Sequence, residues 1–225
     1  MNENINFETY FQTPVYVTEL PELVDALNKA SEPHIKHARE RNKMLSKERD
    51  KSLGKRLGDF GMSHHSGPLV GLPEFADIQG YVERRSFEIM DHMGYDMSKY
   101  FLTWTEMWVQ EFSHKGAAYH NAHIHYDNHI SGFFFLKSSE LTSHPILKDP
   151  RVAKMMSMLP LKNPNDITMG TGSIHYKPKP GTLILFPAYI EHEFTVDLGL
   201  EPFRFIHFNL QAVRNEIVNA CKGLK

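Results

Sequence analysis

Tyr119-His120-Asn121-Ala122-His123-Ile124-His125-Tyr126-Asp127-Asn128-His129 runs directly into Ile130-Ser131-Gly132-Phe133-Phe134-Phe135-Leu136-Lys137. Four histidines and a carboxylate stand within ten positions, just ahead of an apolar run that reads as a buried strand. A hydrophobic core has no use for that much imidazole, so the stretch points to metal chemistry at the edge of a β-structure.

Side chains alternate along an extended strand, so His125 and Asp127 are expected on one side of it. With one further histidine they would offer two nitrogens and an oxygen to a single face of an iron ion, leaving the opposite positions open. A partner is available downstream in Pro180-Gly181-Thr182-Leu183-Ile184-Leu185-Phe186-Pro187-Ala188-Tyr189-Ile190-Glu191-His192. There a glycine turn, an apolar strand and a proline corner would carry His192 back towards the His125–Asp127 pair. Arg204 follows on the next strand, and a guanidinium near such a site suits a carboxylate held by two hydrogen bonds.

Working outward, strand candidates crowd the second half of the chain: Ile130–Lys137, Ile174–Tyr176, Thr182–Phe186, His192–Val196 and Phe203–Leu210. Upstream, Tyr100–Phe112 alternates, with Trp104, Glu106, Trp108, Gln110 and Phe112 predicted on one face. Pro73 to Gly94 carries Phe75, Ile78, Val82, Ile89 and Met93 at helical spacing and should lie against a sheet. Thr13–Val17 suits an edge strand, and Pro21 opens a helical pattern that Pro33 is expected to interrupt or kink. These patterns predict a mainly β fold with flanking helices, as an antiparallel sandwich or barrel.

Other segments carry weaker signals. Lys36 to Arg56 is rich in Lys and Arg with little periodicity and reads as a solvated helix or mobile loop. His64 and His65 read as solvent-facing, as do His114 and His120. Leu141 to Ser173 is long enough to be a lid or substrate loop. Ala212 to Lys222 is expected to be a short C-terminal helix. The division expected is one domain over 1–225, with an N-terminal strand, helices and basic segment (1–99), a core (100–210) and a C-terminal helix (211–225).

Composition limits the classes of function. The 225 residues are 41% hydrophobic, enough for a substantial core, and a formal net charge of -2 supplies no field for nucleic acid or membrane. The single cysteine, Cys221, excludes an intrachain disulfide and a zinc–thiolate site, and fits a cytoplasmic setting. The start lacks a signal-peptide pattern, and no apolar run is long enough to cross a bilayer. A small-molecule or protein substrate is expected, with nucleic acid less favoured, no membrane partner, and a homodimer left open.

The chain resembles the Fe(II)- and 2-oxoglutarate-dependent oxygenases, whose pattern is His-x-Asp, a distant histidine and an arginine further on. More narrowly it is similar to an oxygenase family of marine bacteria and phages that carries His-x-His ahead of Ser-Gly and an aromatic strand. His123-Ile124-His125, Ser131-Gly132-Phe133-Phe134-Phe135-Leu136, Asp149-Pro150-Arg151, Gly181 through Pro187, His192 and Phe208-Asn209 carry the likeness. The resemblance implies a double-stranded β-helix, or cupin-like jelly roll. It implies Fe(II) held by His125, Asp127 and His192, with 2-oxoglutarate and O2 consumed, succinate released and a substrate hydroxylated.

In that reading Arg204 anchors 2-oxoglutarate, Lys137 is the second candidate, and Tyr119 lines the pocket. Ile206 departs from the pattern, because serine or threonine often stands there. His123 and His129 are candidates for contacts behind the ligands or for structural roles. Two other classes remain open. A cupin-type isomerase or metal binder would use His123, His125 and His192, and a non-catalytic barrel would use the basic segment to meet an acidic partner.

Overall fold

The computed structural model describes residues 6–216. Its strands are β1 (Tyr16–Glu19), β2 (Ser63–His65), β3 (Tyr100–Phe112), β4 (His120–His123), β5 (Ile130–Lys137), β6 (Pro145–Lys148), β7 (Ser173–His175), β8 (Thr182–Pro187), β9 (His192–Phe194) and β10 (Arg204–Arg214). A six-stranded sheet has the order β1-β8-β5-β10-β3-β2 and faces a four-stranded sheet of order β4-β9-β6-β7. Every pairing is antiparallel. This is the predicted jelly roll, with two helices on the outer face of the larger sheet.

Those helices are α1 (Val24–Leu53) and α2 (Ala76–His92). α2 follows a 3-10 turn, Pro73–Phe75, and buries Ile78, Val82 and Ile89 as its spacing predicts. Each such side chain withdrawn from water stabilises the fold by about 1.5–3 kcal/mol.

α1 departs from expectation. It continues through Pro33 and through most of the basic segment, ending at Gly54 in the left-handed conformation (φ 61°). Its inner stripe is Leu27, Ser31, Ile35, Ala38, Asn42 and Ser46, spaced four, four, three, four and four apart. Four of these six are small or polar, which hides the stripe from a hydrophobicity pattern. Asn42 Nδ2 donates to the Ser63 carbonyl at 2.8 Å and contacts His64 Nδ1 at 3.2 Å, so hydrogen bonds do the docking. His64 is accordingly buried and not solvent-facing.

Two apolar clusters follow from the two faces of the larger sheet. The outer cluster joins α1 and α2 to Met107, Val109, Phe134, Leu136, Ile206 and Phe208. The inner cluster lies between the sheets and contains Phe112, Phe133, Phe135, Phe186, Phe194, Phe203 and Phe205. Gly132 belongs to this arrangement, because a Cβ there would lie 2.5 Å from the Ile184 carbonyl and 2.6 Å from the Phe208 ring.

Three further differences have local causes. A register shift between Asn209 and Leu210 pairs Asn209 with Glu106 and Leu210 with Trp104. Thr105 is thus an extra residue, and the bulge turns Trp104 to the outer cluster, away from Trp108. The segment expected as a loop from Leu141 contributes β6, which pairs with β9 and β7. β10 extends to Arg214, into the segment where a C-terminal helix was expected; residues 215–216 are helical, and residues 217–222 lie outside the described residues. No helix among the described residues is long and apolar enough to cross a membrane.

Candidate metal centre

β4 and β9 are neighbours in the smaller sheet, and His123 is the register partner of His192. Their ring centroids stand 4.4 Å apart. His125 follows just beyond the end of β4, where its backbone N–H donates to the Ala188 carbonyl at 3.2 Å. Its ring lies 5.0 Å from that of His123 and 5.1 Å from that of His192. One ring nitrogen from each of the three histidines falls within 4.8 Å of the others, a grouping that could hold a metal ion.

The hydrogen bonds select which nitrogens face inward. His192 Nδ1 lies 3.0 Å from the Ile190 carbonyl and His123 Nδ1 lies 2.7 Å from the Asn121 carbonyl. A carbonyl only accepts, so each Nδ1 carries the proton and each Nε2 presents its lone pair. Nε2 of both His125 and His192 is buried without a partner. Burial pushes the His125 pKa down to about 4 and that of His192 to about 3, so both are neutral, the form that binds metal. Partnerless Nε2 atoms on converging neutral imidazoles fit a divalent transition metal such as iron.

Asp127 is not brought to this centre. β4 ends at His123, and Asp127 sits in a turn with φ 59°, exposed to solvent. The alternation that would have aligned it with His125 requires a continuous strand, which the turn breaks. His123 completes the grouping with ligand spacing instead. The sequence contained that alternative, since His123 and His125 share the His-x-His spacing that β4 keeps in register with β9.

The expected anchors for 2-oxoglutarate are also placed elsewhere. Arg204 is 1% exposed, but it projects from the outer face of the larger sheet. Its Nε donates to Glu111 Oε2 at 2.8 Å, and its Nη2 lies 2.8 Å from Glu32 Oε2 and 2.6 Å from Glu111 Oε2. Inward positions on β10 are Phe205, His207 and Asn209, so strand parity turns Arg204 away. Lys137 ends 3.8 Å from the same Glu111 carboxylate. Tyr119 is half exposed just before β4 and has no side-chain hydrogen bond among the described residues.

Groups that the sequence reading passed over line the centre. His207, on the inner face of β10, stacks 4.7 Å from His125 and packs 4.6 Å from Trp108. Asn209 Nδ2 lies 2.8 Å from Glu106 Oε2, 2.9 Å from His125 Nδ1 and 3.1 Å from His207 Nε2. Glu106, His125 and His207 form a second grouping with ligand spacing. His120, expected at the surface, instead lies between Trp108, Phe112 and Phe194, and burial pushes its pKa down to about 4. Alternation along β10 was the signal that could have found His207 and Asn209.

Residues 106–208 match a family described as "Putative 2OG-Fe(II) oxygenase". No curated protein matches the chain. Among solved structures, a prolyl-4-hydroxylase from Pseudomonas putida shares 11% identity over 88% of this chain and 92% of its own, with a TM-score of 0.51. AviO1 from Streptomyces viridochromogenes Tue57 shares 13% identity over 88% of this chain and 90% of its own, with a TM-score of 0.52. An oxidoreductase of the 2OG-Fe(II) oxygenase family from Burkholderia pseudomallei shares 14% identity over 64% of this chain, with a TM-score of 0.43, and the chain spans 60% of its length. The first two likenesses bear out the jelly roll, with helices flanking antiparallel sheets.

Proposed function

We propose that the chain is an oxidoreductase of the 2OG-Fe(II) oxygenase kind, which residues 106–208 resemble, and that it hydroxylates an organic substrate while a 2-oxo acid is decarboxylated, with iron held by His123, His125 and His192. The observation that carries this reading is the convergence of the three imidazoles, two of them with buried and partnerless Nε2 atoms. When bound there, iron would supply oxygen activation coupled to oxidation of the 2-oxo acid.

The chain's own residues supply the rest. The carbonyls of Ile190 and Asn121 hold the rings of His192 and His123 in the ligating orientation. Phe133 and Phe186, with ring centroids 5.5 Å and 5.1 Å from that of His192, keep water from one side of the centre. Ser131 Oγ, His207 Nδ1 and Asn209 Oδ1 are buried polar atoms on the inner face with no partner, available to orient a polar ligand.

The substrate reading is a protein side chain such as prolyl, or a small molecule. A cleft of about 600 Å³ supports it: Tyr10, Phe11 and Val15 face Leu147, Arg151 and Ile190 across it, and Ile190 is the residue that holds the His192 ring. A cytoplasmic setting belongs to the same proposal, with nucleic acid a less favoured partner, no membrane partner and a homodimer left open.

The test compares two substitutions in iron-loaded protein. His123→Ala is expected to weaken iron binding by more than about 100-fold and to abolish oxygen consumption driven by a 2-oxo acid, because loss of a ligand exceeds the 10–100-fold cost of losing a group behind one. Asp127→Ala should leave both within about threefold, the scatter expected for an exposed residue. The reverse pattern would return the third ligand to Asp127.

A further inference from the structure

We propose that this chain accepts 2-oxo acids with an uncharged aliphatic or aromatic tail at least as well as it accepts 2-oxoglutarate. The inference rests on the oxygenase reading above and concerns what lies beyond the keto acid end of the cosubstrate.

A second carboxylate carried into the jelly roll leaves water behind and needs a cation or several donors in return. Among the described residues Arg204 is the one lysine or arginine that is buried. Its guanidinium is on the wrong face of β10 and is already committed to Glu111 and Glu32, while Nη1 turns to Asn28. Arg39 and Lys137 also end against Glu111. No cation is left over from this cluster to turn inward, and strand pairing fixes its direction.

The inner face offers phenyl rings instead. Phe133 stands 5.3 Å from His207 and 5.0 Å from Phe194 between ring centroids, and Phe205 stacks on Phe194 at 4.6 Å. Phe135 and Phe203 extend that surface. The polar atoms without partners, on Ser131, His207 and Asn209, are uncharged and sit beside the histidines. They suit the keto acid end. A metal held by three neutral imidazoles also keeps its full double charge, so the ion itself attracts that end. Among the described residues no buried cation stands on the inner face to meet a carboxylate at the far end, whereas the phenyl rings of that face favour an apolar tail.

The test uses the full chain loaded with Fe(II) under anaerobic conditions and titrated with 2-oxoglutarate, 4-methyl-2-oxopentanoate and phenylpyruvate. Binding is followed by the visible charge-transfer band of a 2-oxo acid on iron, and oxygen uptake is measured separately. The expected result is a Kd for at least one of the two monocarboxylates within about threefold of that for 2-oxoglutarate, or tighter. Because tenfold corresponds to about 1.4 kcal/mol, a preference for 2-oxoglutarate of tenfold or more over both overturns the proposal. A band with 2-oxoglutarate alone overturns the proposal and leaves the oxygenase reading standing, while no band with any of the acids overturns both. Arg204→Met should leave the ratio unchanged, and a tenfold change in it would restore Arg204 as the anchor. If that variant does not fold, the ratios measured on the unsubstituted chain decide.

Discussion

The two faces of β10 handle polar groups in opposite ways. On the outer face Arg204 is matched to Glu111, with Glu32, Arg39 and Lys137 closing the cluster. On the inner face, one residue out of phase, His207, Asn209 and their neighbours His125 and His192 leave buried nitrogens and an oxygen without partners. A fold tolerates buried charge only when it is paired, so the outer cluster is structural cement between α1 and the sheet. Unpaired neutral polar atoms are tolerated where a ligand completes them, and beside these a ring nitrogen from each of His123, His125 and His192 stands within 4.8 Å of the others. The difference separates architecture from function within a single strand.

The largest effect that could break this comparison is on the outer face. Arg204→Ala removes the buried partner of the fully buried Glu111 carboxylate, leaving it Arg39 and the more distant Lys137, and should destabilise the fold by up to about 3–5 kcal/mol. For a chain of this size that lowers Tm by up to about 6–20 °C, measurable by calorimetry. Arg204→Met combined with Glu111→Leu should recover most of the loss, because the orphaned charge disappears with its partner. Unchanged stability in the single variant would mean that the cluster is not structural.

Acid should sharpen the contrast by acting on the inner face. His120 and His125 are held near pKa 4 and His192 near 3 by burial, all below the usual 6.5. Unfolded chains therefore take up protons before the folded chain does. Stability of the metal-free protein is full above about pH 6.5 and falls as pH drops towards about 4. Denaturant titrations between pH 7 and 4 would reveal the decline, and bound metal should delay it by holding the same nitrogens. A flat profile would contradict the burial of these rings.

The smallest effect concerns the docking of α1. Asn42→Ala removes the bond to the Ser63 carbonyl and the contact to His64, and should cost about 1–2 kcal/mol. A loss of under about 0.5 kcal/mol, the level of an ordinary surface change, would return α1 to the status of a solvated helix.

Much of this was legible beforehand because period-two and helical patterns survive wherever apolar residues do the packing. α2 was readable from Phe75, Ile78 and Val82, and β5 and β8 from their uninterrupted apolar runs. α1 was not, because Ser31, Asn42 and Ser46 dock it by size and hydrogen bonding. The site was half legible. His125 and His192 stood out as imidazoles flanking buried strands. Asp127 was drawn in by an alternation that a turn at φ 59° cancels, and Trp104 was misplaced by a bulge.

By itself the sequence determined that a histidine-rich edge meets an aromatic antiparallel sandwich or barrel, because strand propensity, glycine turns and alternation are local properties. Only the tertiary structure brings His123 within ligand spacing of His125 and His192, which depends on the register of β4 against β9. It alone decided that the buried arginine faces the helices and not the site. Which face of β10 the arginine takes, and where β4 ends, are set by pairings between strands distant in sequence.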